Sequence, residues 1–258
     1  MNIVVCVKQI PDPADPGALD PESKTLKRDG KLILDESDSY GVEMALQLVG
    51  DSGEVTLVSM APNGEVSGLR TALAMGAAKA VLVSDDALKG SDALTTAKVL
   101  AAAIGKAGEY DLVLAATESS DGYTGVVPEQ IAAVLGLPSV TFAKAVSVDG
   151  GTVKVDRQTE AGYDEVTCPL PAVVSVTAGV VEPRYPSFKG IMAAKSKPVD
   201  QLALADLGIE AANAGWAGAG QEIVEVAAAA QREAGEIIED DGEAHAKIVD
   251  FLSNLKVI

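Results

Sequence analysis

Four short segments of this 258-residue chain carry side chains that could hold a small ligand. Cys6, Val7 and Lys8 close an apolar run at the start of the chain. Asp35, Glu36, Ser37 and Asp38 place carboxylates and a hydroxyl at an expected helix start, and Met60, Ala61 and Pro62 end a second apolar run. Residues 116–125 offer the hydroxyls of Thr117, Ser119, Ser120 and Thr124 beside Gly122 and Gly125, which permit close backbone approach. Gly125 is expected to open a helix, whose free N–H groups favour an anion. The combination suits the phosphate of a mononucleotide, although an ordinary capped loop would use the same residues. No GxGxxG follows the first apolar run and no GxxxxGK[ST] occurs, so neither a dinucleotide fingerprint nor a P-loop is supported.

Catalytic constellations are absent from the sequence. It holds one histidine, His245, no GxSxG and no plausible Cys–His pair, so nucleophilic hydrolysis has no visible machinery. Typical zinc sites need three or four clustered ligands, and no such spacing occurs. Carboxylates abound, but an acidic surface supplies chance pairs freely. The expectation is a chain without catalysis of its own.

The elements that must position these segments alternate. Residues 2–7 form a β-branched run typical of a parallel strand buried on both faces. Residues 8–30 read as a long loop and 31–34 as a short edge strand. A helix capped from 35–38 carries Val42, Ala45, Leu46 and Val49 on one face and ends at Gly50 and Gly53. Then come a strand at 54–60, a helix at 65–75, a strand at 80–84, a helix at 92–106 capped by Ser91, a strand at 111–116 and a helix at 125–135. Strand–helix alternation of this kind gives a doubly wound, mostly parallel α/β sheet with helices on both faces. Ligands in such sheets bind outside the carboxyl ends of the strands, where the four segments lie. From residue 139 the pattern changes to added antiparallel strands, at 140–148 and 152–157 around a Gly-containing turn, at 162–167, and at 171–177.

Composition narrows the partners. The formal charge of −18 repels a phosphate polymer, and 3% aromatics cannot build a base-stacking surface, so nucleic-acid binding is not expected. Cys6 and Cys168 form no CxxC pattern, and no apolar segment approaches the roughly 20 residues of a membrane span. With no secretory leader recognisable at residues 1–10, a cytoplasmic location without membrane insertion is expected. Domain organisation is read as residues 1–199, the nucleotide-shaped α/β domain, followed by an arm at 200–258. Residues 202–207 look like a helical turn or two, and 211–220 are rich in Ala and Gly. Residues 227–243 are low in large apolars, and a helix at 243–255 carries Ile248, Phe251, Leu252 and Leu255 on one face.

One further stretch, VEPRYPSFKGIMAAKSK at 181–197, sets Glu182, Arg184, Tyr185 and Phe188 around two prolines. Pro183 and Pro186 stiffen it, since proline fixes φ and biases its predecessor toward extended geometry. A Glu182–Arg184 pair is expected to pin its base, and Lys195 and Lys197 to offer local positive charge. A stiff loop presenting an aromatic suits a partner surface, and a packed crossover loop explains the prolines equally well.

That stretch, with IVVCVK at 3–8, LRTALAMGA at 69–77, residues 112–125, and Gln231, Arg232, Ala234 and Gly235, resembles the β subunit of electron transfer flavoproteins over essentially the whole chain. The resemblance implies a fold like the adenine-nucleotide α-hydrolases, without hydrolysis. It also implies a heterodimer with a homologous α subunit that holds most of one FAD, serving acyl-CoA or other flavin dehydrogenases and an electron transfer flavoprotein–quinone oxidoreductase. Carried over by position, a structural AMP would be held by Cys6, Asp35, Glu36, Ser37, Asp38, Met60, Ala116, Thr117, Glu118, Ser119, Asp121, Gly122, Tyr123 and Thr124. Asp12 and Pro13 would lie toward the flavin. Partner recognition would fall to Glu182, Arg184, Tyr185, Phe188, Ile191, Met192 and Lys195, with Phe188 as anchor. A bifurcating relative would hold a second FAD in place of AMP. Asp121, Gly122 and Thr124 are similar to that group's loop, whereas Tyr123 replaces a small acid. A stand-alone nucleotide-binding protein is the remaining alternative.

Overall fold

The first apolar run becomes the middle of a nine-stranded sheet. In the computed structural model, β1 (Asn2–Cys6) runs parallel to β4 (Glu54–Met60) on one side and β6 (Leu112–Ala116) on the other. Its Ile3, Val4, Val5 and Cys6 are buried on both faces, as the β-branched run predicts. The structure describes residues 1–14, 17–227, 235, 237–240 and 242–258. These form two compact units, Met1–Ile223 and Val224–Ile258.

Within the first unit the sheet extends outward from β1 in both directions. Beyond β4 lie β5 (Lys79–Val83) and then β11 (Val199–Leu202); beyond β6 lie β10 (Ala172–Val176), β7 (Ser139–Asp149), β8 (Thr152–Thr159) and β9 (Gly162–Pro169). All pairings are parallel as far as β7, and β7–β8–β9 form an antiparallel meander. Gly150 and Gly151, at φ +53° and +83°, make the two-residue turn between β7 and β8, where both central residues need positive φ. A small separate hairpin pairs β2 (Gln9–Pro11) with β3 (Leu32–Leu34).

Helices cover both faces. Against one face, Ile3, Val5, Leu57 and Leu114 pack with Val42 and Ala45 of α1 (Glu36–Val49), Leu69 and Leu73 of α2 (Ser67–Met75), and Ala194 of α5 (Phe188–Ala194). Against the other, Val4, Val58, Val81 and Val113 pack with Ala97, Leu100 and Ile104 of α3 (Ala93–Ile104) and Ile131 of α4 (Val127–Leu135).

Several expectations are corrected. Asp92, not Ser91, caps α3, its Oδ1 accepting from Thr95 N–H at 2.8 Å; the Ser91 hydroxyl instead donates to Leu88 O. α4 starts at Val127 rather than Gly125, because Gly125 takes φ +64° and Val126 occupies the cap. The two compact units divide at 223/224. Residues 199–202 complete an edge strand on β5, and the Ala/Gly-rich stretch that composition assigned to the arm is fastened to α3 and its approach. Trp216 N–H donates to Lys89 O, Gly220 N–H to Asp92 Oδ2, and Thr95 Oγ1 to Gly218 O. In the second unit, α7 (Ala244–Asn254) follows the expected helical periodicity.

α2 is seated on the small hairpin through Gly68. A Cβ there would stand 2.8 Å from Leu34 N and 2.8 Å from Gln9 Cγ, distances that backbone cannot yield. The buried Gln9 amide closes the seam, accepting from Gly68 N–H at 2.8 Å and donating to Glu65 O at 2.5 Å. Gly→Ala in a helix interior normally stabilises by about 1 kcal/mol, and in a first turn such as that of Gly68 by less. At this position overpacking reverses the sign: Gly68→Ala should destabilise by about 1–3 kcal/mol, read as a lowered denaturation midpoint.

Candidate functional site

The chain winds from β1 outward to β4 and β5, then returns across β1 to β6, so the strand order reverses between β1 and β6. The crevice outside their carboxyl ends is where such sheets bind ligands. Asp35 organises it. As N-cap of α1 it accepts Ser37 N–H on Oδ1 at 3.0 Å. The same carboxylate takes the Ser120 hydroxyl on Oδ1 at 3.0 Å and Ser120 N–H on Oδ2 at 2.7 Å, while its own N–H donates to Lys8 O. Asp35 is fully buried, and its lone pairs are spent on the protein: it shapes the loop that follows β6.

Asp38, one turn on, accepts Lys8 N–H on Oδ2 at 2.6 Å. Burial pushes its carboxyl well above the usual range. Asp35 and Asp121 push it the same way, against the pull of the Lys8 N–H and ammonium. Beneath it the Cys6 thiol is raised to about 12, by burial first and Asp38 second, so it is an inert core group. Burial would also raise Asp121, but Lys8 Nζ at 2.7 Å and the Arg28 guanidinium hold it below the ordinary carboxylate range. Lys8 Nζ also donates to Ser119 Oγ at 3.2 Å. Sequence reading missed Lys8 and Arg28 as partners of Asp121, since Arg28 lies 93 residues from it in a stretch read as plain loop.

Of the fourteen predicted ligand residues, Thr124 lines one cleft beside the 117–126 loop, Glu36, Ser37 and Tyr123 line another, and the other ten line neither. One, of about 510 Å³, is lined by Thr124, Val126 and Gln130 together with Asp92, Ala93 and Leu94 of α3. Here α4 begins without a side-chain cap, Pro128 in its first turn has no N–H to offer, and the buried Oε2 of Glu129 and Oε1 of Gln130 have no hydrogen-bond partner among the described residues. The other, of about 420 Å³, is lined by Glu36, Ser37, Ser120 and Tyr123 with Pro13 and Tyr40. Tyr123 stands at its rim, 68% exposed on a φ of +49°. Cys6, Met60 and Ala116 lie at the strand ends and line neither cleft. Among the described residues, no three His, Cys, Asp or Glu gather as metal ligands, and no helix is long and apolar enough to cross a membrane.

The 181–197 stretch is pinned differently from the expectation. Arg184 pairs with Glu43 of α1, not Glu182: Nε to Oε2 at 2.6 Å and Nη2 to Oε1 at 3.0 Å, with Arg184 N–H also on Oε2 at 3.3 Å. A buried carboxylate facing the loop outcompetes a solvated neighbour, because only the former needs a countercharge. Burial would raise Glu43, but Arg184 and Gln47 hold it below its usual range. Beyond the loop, Ser187 caps α5, accepting Gly190 N–H at 3.0 Å. Tyr185 (93%) and Phe188 (81%) stand in solvent, with Ile191 and Met192 half exposed on the same side. Lys195 is exposed, whereas the Lys197 ammonium turns inward onto Leu73 O and Ala77 O, so it adds no free charge to the stretch.

Asp38 gives the site a pH signature. A carboxyl whose folded pKa lies above its unfolded value of about 3.9 contributes stability that is complete below that value and is lost as pH rises through the folded one. Asp38→Asn keeps a carbonyl to accept Lys8 N–H and removes the titration. Relative to wild type, the variant should therefore gain stability steadily as pH rises above about 4, measured by denaturant unfolding; a difference that stays constant with pH contradicts the assignment.

Comparison with known proteins follows the same lines. The family model described as electron transfer flavoprotein domain matches residues 24–207. Electron transfer flavoprotein subunit beta of Mycobacterium leprae is 42% identical over 264 residues, covering 100% of this chain and 99% of the relative. That of Clostridium acetobutylicum is 38% identical, covering 98% of each. Subunit CarD of the caffeyl-CoA reductase–Etf complex of Acetobacterium woodii is 37% identical over 212 residues, 81% of this chain and 80% of the relative. Gln231, Arg232 and Ala234, which entered the resemblance, lie outside the described residues. A doubly wound sheet with a loop shaped by Asp35 at its switch point, an EPRYPSFKGIMAAK stretch displayed on its surface and end-to-end similarity to beta subunits together show that this chain belongs to the electron transfer flavoprotein family, as a beta subunit.

Proposed function

We propose that this subunit holds a structural AMP and presents a docking surface, while the electrons pass through one FAD held mainly by an α subunit. Electrons would arrive from acyl-CoA or other flavin dehydrogenases and leave toward a quinone oxidoreductase. The observation that carries the reading is the outward stripe of Tyr185, Phe188, Ile191 and Met192 on a loop whose base is fastened to α1. Large apolar side chains set in solvent on a rigid support are the usual anchors of protein interfaces.

The residues present fit an adenine nucleotide. The Val127 and Glu129 N–H groups at the uncapped start of α4 are matched to a phosphate, and the Gln130 acceptor to a ribose hydroxyl or an exocyclic amine. Thr124 and Val126 would line the same cleft, and Cys6, Met60 and Ala116, which line neither cleft, are left without a direct contact. Asp35 and Asp38 act one step removed, by fixing the loop. The second cleft, with Pro13, Ser37, Tyr40 and Tyr123, would face the flavin, which supplies the redox chemistry when bound. The apolar stripe of α7, with Ile248, Phe251 and Leu255 exposed, would pack on the α subunit.

A bifurcating role is favoured by one feature, the Asp121–Gly122 turn, and by similarity to a subunit of an Etf complex with a reductase. Tyr123, in place of a small acid in that loop, stands against it. Co-expression with an α subunit decides. One flavin and one AMP per purified heterodimer are expected, and two flavins without AMP would replace the first reading with the second. In the same purification, a chain ending at Ile223 should fail to retain the α subunit; retention at one to one would remove the proposed role of α7.

Docking is tested separately. Phe188→Ala should leave FAD content unchanged and raise the KM for the heterodimer, as electron acceptor of an acyl-CoA dehydrogenase, by about tenfold or more. Unchanged coupling would remove Phe188 as anchor.

A further inference from the structure

The docking helix is too short to hold its own direction. α5 spans seven residues, about two turns, and an isolated helix of that length is not stable in water. Its orientation therefore comes from what it is fastened to. Gly190 lies directly on α2, where a Cβ would meet Ala74 O at 2.4 Å, and Ala194 is buried beside it. With 190 and 194 turned inward, 188, 191 and 192 are left on the outward side.

Two cations lock this seam from opposite directions. Arg70 of α2 donates through Nη1 to Ala194 O at 2.7 Å and to Lys197 O at 2.6 Å, satisfying carbonyls at the end of α5. Lys197, just past α5, reaches back and donates to Leu73 O at 2.8 Å and Ala77 O at 2.6 Å, at the end of α2. Neither helix has a basic residue of its own in its last turn. Each thus has its negative end covered by a cation from the other side of the seam, where positive charge is favoured. Nothing in this exchange touches the outward stripe.

We propose that Arg70 and Lys197 are positioning residues for partner docking: their crossed capping sets the direction in which α5 presents Phe188, Ile191 and Met192. The inference rests on the docking role given to this helix above. Releasing Arg70 takes its donor from Ala194 O and Lys197 O, and releasing Lys197 takes one from Ala77 O and from Leu73 O, which keeps Gly76 N–H; either lets α5 pivot on Gly190, so the stripe is displayed in many orientations instead of one. Affinity falls, and the electron-transfer step within a formed complex does not change.

The test uses the purified heterodimer and an acyl-CoA dehydrogenase that reduces the wild-type protein, with rate followed against heterodimer concentration. Arg70→Met removes both bonds and retains an apolar stem. Charged hydrogen bonds of this kind support an expected rise in KM of about tenfold, with kcat within about twofold of wild type. FAD content should be unchanged, and Arg70→Lys should recover part of the loss. If Arg70→Met does not assemble with the α subunit, Lys197→Met breaks the other half of the seam and carries the same expectation. A KM within about twofold of wild type in the assembled variant overturns the inference. Phe188→Ala separates the two levels. If it raises KM and the seam variants do not, only the positioning role fails; if it too leaves KM unchanged, the docking reading has failed first.

Discussion

A single buried carboxylate governs the ligand end of this sheet. Asp35 is removed from water, and a carboxylate in that position must find hydrogen-bond donors or forfeit several kcal/mol, on the order of what a whole domain has to spare. It finds them in Ser37 N–H, Ser120 N–H and the Ser120 hydroxyl, and its own N–H goes to Lys8 O. The start of α1, the exit from β1 and the loop after β6 are therefore not three independent features. Each is placed by the same side chain. An amide at this position would put a donor where one of the two oxygens now accepts, so it could not accept from both Ser37 N–H and Ser120 N–H in the present geometry.

The helix that Asp35 starts also carries the anchor of the docking stretch. Glu43 lies eight residues further along α1, about 12 Å along its axis at 1.5 Å per residue, and its carboxylate takes Arg184 by a two-pronged bond. One rigid element thus fixes both the loop that shapes the crevice and the loop that leads to α5. Planar guanidinium matched to carboxylate adds direction as well as energy, which a lysine at 184 would not supply. This arrangement explains why a stretch with two prolines and little secondary structure still has a defined course.

The regular part of the fold was legible because burial on both faces writes itself into β-branched runs and strand–helix alternation. β1, β4, β5 and β6 and the helices between them follow directly from that pattern. What stayed hidden depends on long-range partners. β2 and β11 are three- and four-residue strands that exist only because β3 and β5 offer them an edge, so no local pattern announces them. The Glu182–Arg184 pairing failed for the same reason: proximity in sequence is a weak claim on a cation when a buried acid waits 141 residues away. A signal was present in Glu43 itself, an acid beside the apolar Val42–Leu46–Val49 face. Arg70 lay inside the quoted LRTALAMGA segment without a role, because its acceptors are backbone carbonyls that any sequence provides. For the ligand residues, the sequence brought the chosen segments to one end of the sheet but could not tell that most of them would line neither of the two clefts beside the 117–126 loop.

Charge bears on what kind of recognition this surface can perform. The chain carries a formal −18, and the docking stretch looks like a basic exception, with Arg184, Lys189, Lys195 and Lys197 against Glu182. Two of those four cations are committed inward, Arg184 to Glu43 and Lys197 to the carbonyls of α2. Lys189 and Lys195, both exposed, remain to flank the apolar stripe. Charges at a rim act mainly on the rate of encounter, whereas a central apolar anchor acts on the lifetime of the complex. A carrier that must release each partner after one transfer gains little from a dense ionic interface. On the proposed docking role, it needs an aimed apolar contact of modest area, and Arg184 and Lys197 would be spent on aiming it.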